Sequence, residues 1–378
     1  MTRAGRLQRF DHLQLLLTGA LSGLGLMTLF SASGVAFHRQ LVFLVLGLGA
    51  YAAAASFDYR KLQKAAPALY GACLLLLLAV TVAGHVRLGA QRWISLAGVP
   101  VEPSELGKLL MLVVLAAFLS SRRRLGNREI LASFGLGLPP VLLVLFQPDL
   151  GTSIVFLCLL LGMLFLAGAS RLHLAAIVAG AAIAFPVLLR LLHGYQRQRL
   201  QVFLDPSKDP LGAGYNLIQA RIAVGSGGLF GQGWLHGHQG SLGYVPERTT
   251  DFVFAVYAEQ FGLVGCVLLL AVFTALVIRL ARSAAVASDR FGHLLCAGMA
   301  VILGTQVVQN VGMNIGATPI AGIPLPLISH GGSATVAFLA GLGLVQSVML
   351  GRRAVLHQES RPLDSYLLGE SGTVRLPM

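Results

Sequence analysis

The sequence predicts an all-α, polytopic membrane protein of about ten transmembrane helices. Three observations carry this. Of 378 residues, 56% are hydrophobic and 11% are charged, against roughly 25% charged in a soluble domain. The mean hydropathy is +0.76. Several uncharged runs approach or exceed the roughly 18 residues that mark a bilayer crossing. A soluble enzyme, a secreted disulfide scaffold and a DNA-binding domain are excluded. The net charge of +13 belongs mostly to loops, so it implies no nucleic-acid partner.

The elements follow in order. Residues 1–12 form a short segment with Arg3, Arg6 and Arg9. The spans then read 13–33, 41–57, 65–83, 109–119 (starting earlier, near Ser104), 130–146, 152–169, 172–192 and 252–278. The first has no small-residue cleavage site and is followed by more spans, so it reads as an uncleaved helix rather than a signal peptide. The seventh carries Pro186, which a membrane helix tolerates. Residues 291–350 contain no Asp, Glu, Lys or Arg. As one helix they would extend about 90 Å, so Pro319, Pro324 and Pro326 divide them into two spans. Cys73, Cys158, Cys266 and Cys296 lie inside apolar runs without metal-ligand spacing and read as small buried hydrophobes. Residues 351–378 read as a C-terminal tail, polar and loose from His357 onwards.

Lys and Arg set the orientation. With the N-terminus cytoplasmic, 18 of the 28 basic residues fall in inner segments and the short loops alternate. Both termini are then expected inside. The long outer loop, about 193–250 between the seventh and eighth spans, reads as functional. Its Asp205-Pro206 and Asp209-Pro210 pairs are turn signals. Residues 215–224 predict a short helix in the membrane interface. The Gly-rich run 225–234 reads as a flexible turn, ahead of an anion-binding nest, because it lacks the strand-before, helix-after context of a nucleotide loop.

A charge inside a span is costly and is a functional candidate by default. Asp251 stands at the mouth of the eighth span, where desolvation would raise its pKa towards that of a useful general base; a helix cap is the competing reading. Glu105 and Lys108 are i, i+3 and predict an ion pair. Glu259, two turns after Asp251, predicts a pair with Lys108 or another cation. Asp149, in Gln147-Pro148-Asp149, predicts a cap on the sixth span. Trp93, after Arg92, reads as an interfacial anchor ahead of a sugar platform. Ser329 and His330, following Pro324 and Pro326, predict an unwound helix start lining a cavity. On the predicted topology these acids share the outer side, which favours outer-face chemistry over a flippase.

The chain resembles the SEDS (shape, elongation, division and sporulation) family of bacterial polytopic glycosyltransferases. The matching segments are Gly89-Ala90-Gln91-Arg92-Trp93-Ile94, Glu102-Pro103-Ser104-Glu105-Leu106-Gly107-Lys108 and Gln147-Pro148-Asp149-Leu150-Gly151. Further on come Ala223-Val224-Gly225-Ser226-Gly227-Gly228-Leu229-Phe230-Gly231, Pro246-Glu247-Arg248-Thr249-Thr250-Asp251-Phe252 and Gly322-Ile323-Pro324-Leu325-Pro326-Leu327-Ile328-Ser329-His330-Gly331-Gly332-Ser333. They follow the family's order across about 13–350. Gly233-Trp234 and Pro246-Glu247-Arg248 resemble the elongation type rather than the division type. Thr249 replaces a common His and His330 a common Tyr, which shifts the expected base onto Asp251.

The resemblance implies polymerisation of lipid II into β-1,4 glycan at the outer leaflet of the inner membrane, for cell elongation and rod shape. It implies Asp251 as the essential acid. In the mechanism that fits, Asp251 deprotonates the acceptor 4-hydroxyl and undecaprenyl diphosphate leaves with inversion. A weakly basic diphosphate needs positive charge rather than a general acid. The outer cations are Arg92, Lys108, Arg197, Arg199, Lys208, Arg221 and Arg248, with Arg248 ranked first because it lies three residues before Asp251. A divalent cation could share this task, though no ligand cluster marks one, and no other cofactor is expected. Implied partners are a class B penicillin-binding protein, a transpeptidase, and the elongation machinery. A lipid II flippase and a non-catalytic scaffold are the alternatives.

Overall fold

The computed structural model describes residues 10–87, 90–96, 99–122, 124–191, 194–210, 212–237 and 243–359. Most of the N-terminal segment, residues 360–378 of the tail and residues 238–242 of the long loop lie outside them. The described chain is mostly helical. Its long helices are α1 (His12–Ala32), α2 (Gly34–Ser56), α3 (Arg60–Ala83), α4 (Pro103–Ser120), α5 (Asn127–Phe146), α6 (Leu150–Leu166) and α7 (Arg171–Leu191). Two shorter helices follow, α8 (Gly194–Leu204) and α9 (Ala213–Ser226), and then α10 (Val253–Ala285), α11 (Arg290–Ile315) and α12 (Gly332–Glu359). Eight of these are long and apolar enough to cross a membrane; α6 and the Arg171–Gly180 part of α7 are shorter apolar helices.

Local chemistry explains the helix ends. Asp11, Asp149 and Asp289 each accept a bond from a backbone N–H in the first turn of α1, α6 and α11, satisfying donors the helix cannot. The expected loop between the first two spans is absent. Ser33 alone turns the chain, accepting from Ala36 N at 3.4 Å, and α2 starts at once. The last helix continues past the expected end of its span near residue 350, since α12 runs to Glu359.

The bundle has a centre and a rim. In α4, 78% of the apolar window is buried inside the molecule, and in α11, 72%; in α2 and α3 the figure is 22%. Close approach at the centre rests on small residues, as in membrane bundles generally. A Cβ on Gly298 of α11 would lie 2.2 Å from Leu112 of α4, and one on Gly343 of α12 would lie 2.4 Å from the Tyr51 carbonyl of α2.

Two features depart from the expectation. First, the chain is not wholly helical. Strands β1 (His85–Arg87), β2 (Ala90–Leu96) and β3 (Val99–Val101) form an antiparallel sheet between α3 and α4. Its register pairs His85 with Trp93 but Val86 with Gln91, so Arg92 is the extra residue of a β-bulge. A bulge re-aims side chains.

Second, the Gly-rich run is neither a flexible turn nor an anion nest. Gly262 sits within α10 at φ 64°, breaking the helix. Leu263 and Val264 N–H donate to the Gly228 and Leu229 carbonyls, while Gln232 and Gly233 N–H donate to the Glu259 and Gln260 carbonyls. The strap therefore satisfies the backbone groups that the break exposes, as backbone withdrawn from water requires. A Cβ on Gly231 would lie 2.1 Å from the Gln260 oxygen; only glycine permits this approach. Just before the strap, α9 buries Leu217, Ala220 and Ala223 against α10 and α11. The predicted short helix is present, with this stripe packed on the bundle.

Candidate active site

A cavity of about 310 Å³ lies where β2, the 246–251 turn and the stretch between α11 and α12 meet. Arg39, Arg92 and Arg199 line it beside Glu102, Glu247 and Asp251, with Trp93, Thr249, Pro324 and His330. Three guanidinium groups and three carboxyls thus share one small polar space.

Asp251 is not a helix cap. The residue preceding α10 is Phe252, and that end has no side-chain cap bond. The Asp251 side chain lines the cavity instead. Burial is the main force raising its pKa above the ordinary Asp range; Arg199 and Arg92 pull it down, and Glu247 and Asp149 push it up. Glu102 is pushed up to about 8, again chiefly by burial, with Glu105 and Asp149 adding to it against Arg92 and Lys108. Burial thus favours the protonated form of Glu102, the form that can donate a hydrogen bond.

The bulge places Arg92 well. Its guanidinium donates to the Gly322 carbonyl at 2.9 Å and lies 3.4 Å from Asp149. Both partners of this ion pair are buried, so removing either strands a charge, typically at a cost of about 3–5 kcal/mol. Asp149 also caps α6 through Thr152 N at 3.0 Å. Arg199, at the middle of α8, donates to the Ile320 carbonyl at 3.1 Å. Ser329 Oγ donates to the Thr250 carbonyl at 2.6 Å, and His330 N–H to the Thr249 carbonyl at 2.7 Å.

Other candidates do not meet in this cavity. Arg248 donates to the Ala32 carbonyl at 3.1 Å, at the C-terminal end of α1. Arg221 donates to the Gly316 carbonyl, past the end of α11, at 3.2 Å. Cations at helix C-termini complement the helix dipole, and both arginines serve there. Lys108 pairs with Glu105 at 2.7 Å, both buried in the first turns of α4. Glu259 is fully buried against Gly237 by the break in α10, not beside Lys108. Gln147 donates to the Leu77 carbonyl at 2.7 Å and ties α5 to α3.

Sequence reasoning singled out neither Arg39 nor Glu247 nor Glu102. Arg39 reads as loop only because α2 was expected to begin later. Glu102 and Glu247 stand inside quoted motifs, and that was their only signal. Among the described residues, no three His, Cys, Asp or Glu side chains gather as a metal site.

The fold and the cavity define a class: a polytopic helical membrane protein with an acid–arginine cavity at one end of the bundle. A family model for FtsW, RodA and SpoVE, described as cell cycle proteins, matches residues 8–354, and the chain belongs to that family. It is 42% identical over 355 residues to the peptidoglycan glycosyltransferase MrdB of Escherichia coli strain K12, covering 91% of this chain and 94% of that protein. It is 34% identical to the stage V sporulation protein E of Bacillus subtilis strain 168, covering 89% and 96%. Among solved structures it resembles a chain from a peptidoglycan synthase complex that coordinates polymerization and crosslinking, with a TM-score of 0.81, 36% identity and coverage of 91% and 98%. It also resembles the rod shape determining protein RodA of Thermus thermophilus, with a TM-score of 0.69, 34% identity and coverage of 91% and 97%.

Proposed function

We propose that this chain is a bacterial peptidoglycan glycosyltransferase that polymerises lipid II for cell elongation, together with a class B penicillin-binding protein. The relatives are named peptidoglycan glycosyltransferases, and one similar chain comes from a peptidoglycan synthase complex. The observation that carries the reading is Asp251, uncapping and cavity-lining, beside three arginines. The catalytic unit is the membrane domain, about 13–350, and 351–378 is its tail. The distribution of Lys and Arg supports cytoplasmic termini and a cavity opening on the outer face.

In this reading Asp251 accepts the proton of the acceptor sugar's 4-hydroxyl. The freed oxygen attacks the anomeric carbon of the donor from the side opposite the diphosphate. The new C–O bond forms as the bond to undecaprenyl diphosphate breaks, and that electron pair leaves with the diphosphate. Arg39, Arg92 and Arg199 supply the positive charge the leaving group needs. This role falls to them because Arg248, Arg221 and Lys108 are engaged elsewhere. Neutral Glu102 donates a hydrogen bond to a sugar or diphosphate oxygen. Trp93 offers an apolar face to a sugar ring.

The test is polymerisation of labelled lipid II by the purified protein with its cognate transpeptidase. Wild type makes polymer and a folded Asp251→Asn variant makes it about 10²- to 10⁴-fold more slowly. Equal polymer from both would remove Asp251 from the mechanism. Lipid II movement across liposomes without polymer would establish the flippase reading instead.

A further inference from the structure

The turn that carries Asp251 is held from outside at three consecutive carbonyls. His330 N–H bonds the Thr249 oxygen and Ser329 Oγ bonds the Thr250 oxygen. The third, on Asp251 itself, receives the side-chain amides of both Asn310 and Asn314, at 3.0 and 3.1 Å. These two residues are one turn apart on α11 and fully buried.

Asn310 does more than bond Asp251. The other hydrogen of the same amide goes to the Ile323 carbonyl at 2.9 Å. Both neighbours are carbonyl oxygens, so the amide must present nitrogen there. Ile323 belongs to the stretch whose other carbonyls hold the cavity's cations: Arg199 on Ile320 and Arg92 on Gly322. One rigid amide therefore joins the acidic wall of the cavity to the backbone that anchors its basic wall. Asn314 locks the arrangement, accepting from Ala255 N–H at 3.1 Å and donating to the Asn310 carbonyl at 2.8 Å.

We infer that Asn310 is a positioning residue for glycosyl transfer, setting the separation between Asp251 and the Arg92–Arg199 pair. The inference rests on the function proposed above. Asn310 does not line the cavity and acts through the Asp251 main chain. A base held about 1 Å out of place costs on the order of 10²-fold in rate, while sugar and lipid contacts that bind substrate persist. Loss of Asn310 should therefore fall on kcat and not on KM.

The experiment compares wild type, Asp251→Asn, Asn310→Leu and Gln306→Leu, each purified with the transpeptidase. Leu keeps the heavy-atom count and γ-branching of Asn and removes both donors. Gln306 is buried one turn earlier on α11 and controls for loss of a buried amide as such. Initial rates against lipid II concentration give kcat and KM; hydrogen exchange gives protection of residues 249–255 and of 332–351. Asn310→Leu should lower kcat on the order of 10- to 100-fold with KM within threefold, and speed exchange in 249–255 alone. Gln306→Leu should stay within threefold in kcat. If Asn310→Leu keeps the wild-type kcat while Asp251→Asn loses it, the positioning role is overturned and the function stands. If both Leu variants lose kcat equally, the effect is general structure and the inference again fails. If wild type makes no polymer, the proposed function fails, and exchange alone decides the clamp: selective deprotection of 249–255 supports it, and unchanged protection overturns it.

Discussion

The chain interrupts its helices in two ways. In α10 the break at Gly262 is sealed by main chain, with four N–H···O=C bonds from the Gly-rich strap. Between α11 and α12, residues 317–331 leave their carbonyls to Arg199, Arg92 and Asn310, and their other side faces the cavity. In both, the interrupted backbone finds hydrogen-bond partners, as backbone withdrawn from water must. They differ in what supplies them. Backbone partners give a closed joint without chemistry. Charged and amide side chains give a joint that also lines the acid–arginine cavity. Glycine and proline mark an interruption; the polar side chains nearby decide its use.

The largest effect that bears on this contrast is at the open joint. Asp251→Asn should lower the polymerisation rate by about 10²- to 10⁴-fold, the usual contribution of a general base, with thermal stability retained. Arg92→Leu should come next. It strands buried Asp149 and frees the Gly322 carbonyl, and thermal unfolding in detergent should show a loss of about 3 kcal/mol or more.

At the sealed joint the damage should be structural. Gly231→Ala puts a methyl against the Gln260 carbonyl in a left-handed conformation (φ 82°). It should cost about 1–3 kcal/mol, read as a lower melting temperature, with the kcat of the folded fraction near wild type. The smallest effects sharpen the assignment of charge. Arg248→Ala removes a cation from the end of α1 and should cost about 0.3–1 kcal/mol with KM unchanged, whereas Arg199→Ala should raise KM for lipid II. Glu102→Gln should be nearly silent at pH 7, because burial favours the protonated side chain that Gln mimics. Any alkaline fall in wild-type activity from ionised Glu102 should vanish in that variant.

Much of this was legible in the sequence. Uncharged runs locate the ten long helices because the bilayer fixes their length and composition. Asp149 is the cap and Glu105–Lys108 the i, i+3 pair that their positions predict. The strands were not legible: β1 and β3 have only three residues each, and the seven of β2, Ala90-Gln91-Arg92-Trp93-Ile94-Ser95-Leu96, do not alternate apolar with polar, because the bulge at Arg92 interrupts the period. Arg248 shows why spacing misled. An i, i+3 separation puts side chains on one face only in a helix, and residues 246–251 form a turn, so Arg248 and Asp251 diverge. Arg39, Arg92 and Arg199 meet through tertiary packing of α2, β2 and α8, which no local pattern records.

The central claim is that Asp251 works as a base from a desolvated cavity. The most direct test is the pH dependence of kcat/KM for lipid II polymerisation. The base must be deprotonated to act, and burial raises its pKa, so activity should fall on acidification with a midpoint above the ordinary Asp range of about 4. A midpoint at or below that range, or an acid limb that persists unchanged in Asp251→Asn, would contradict the account.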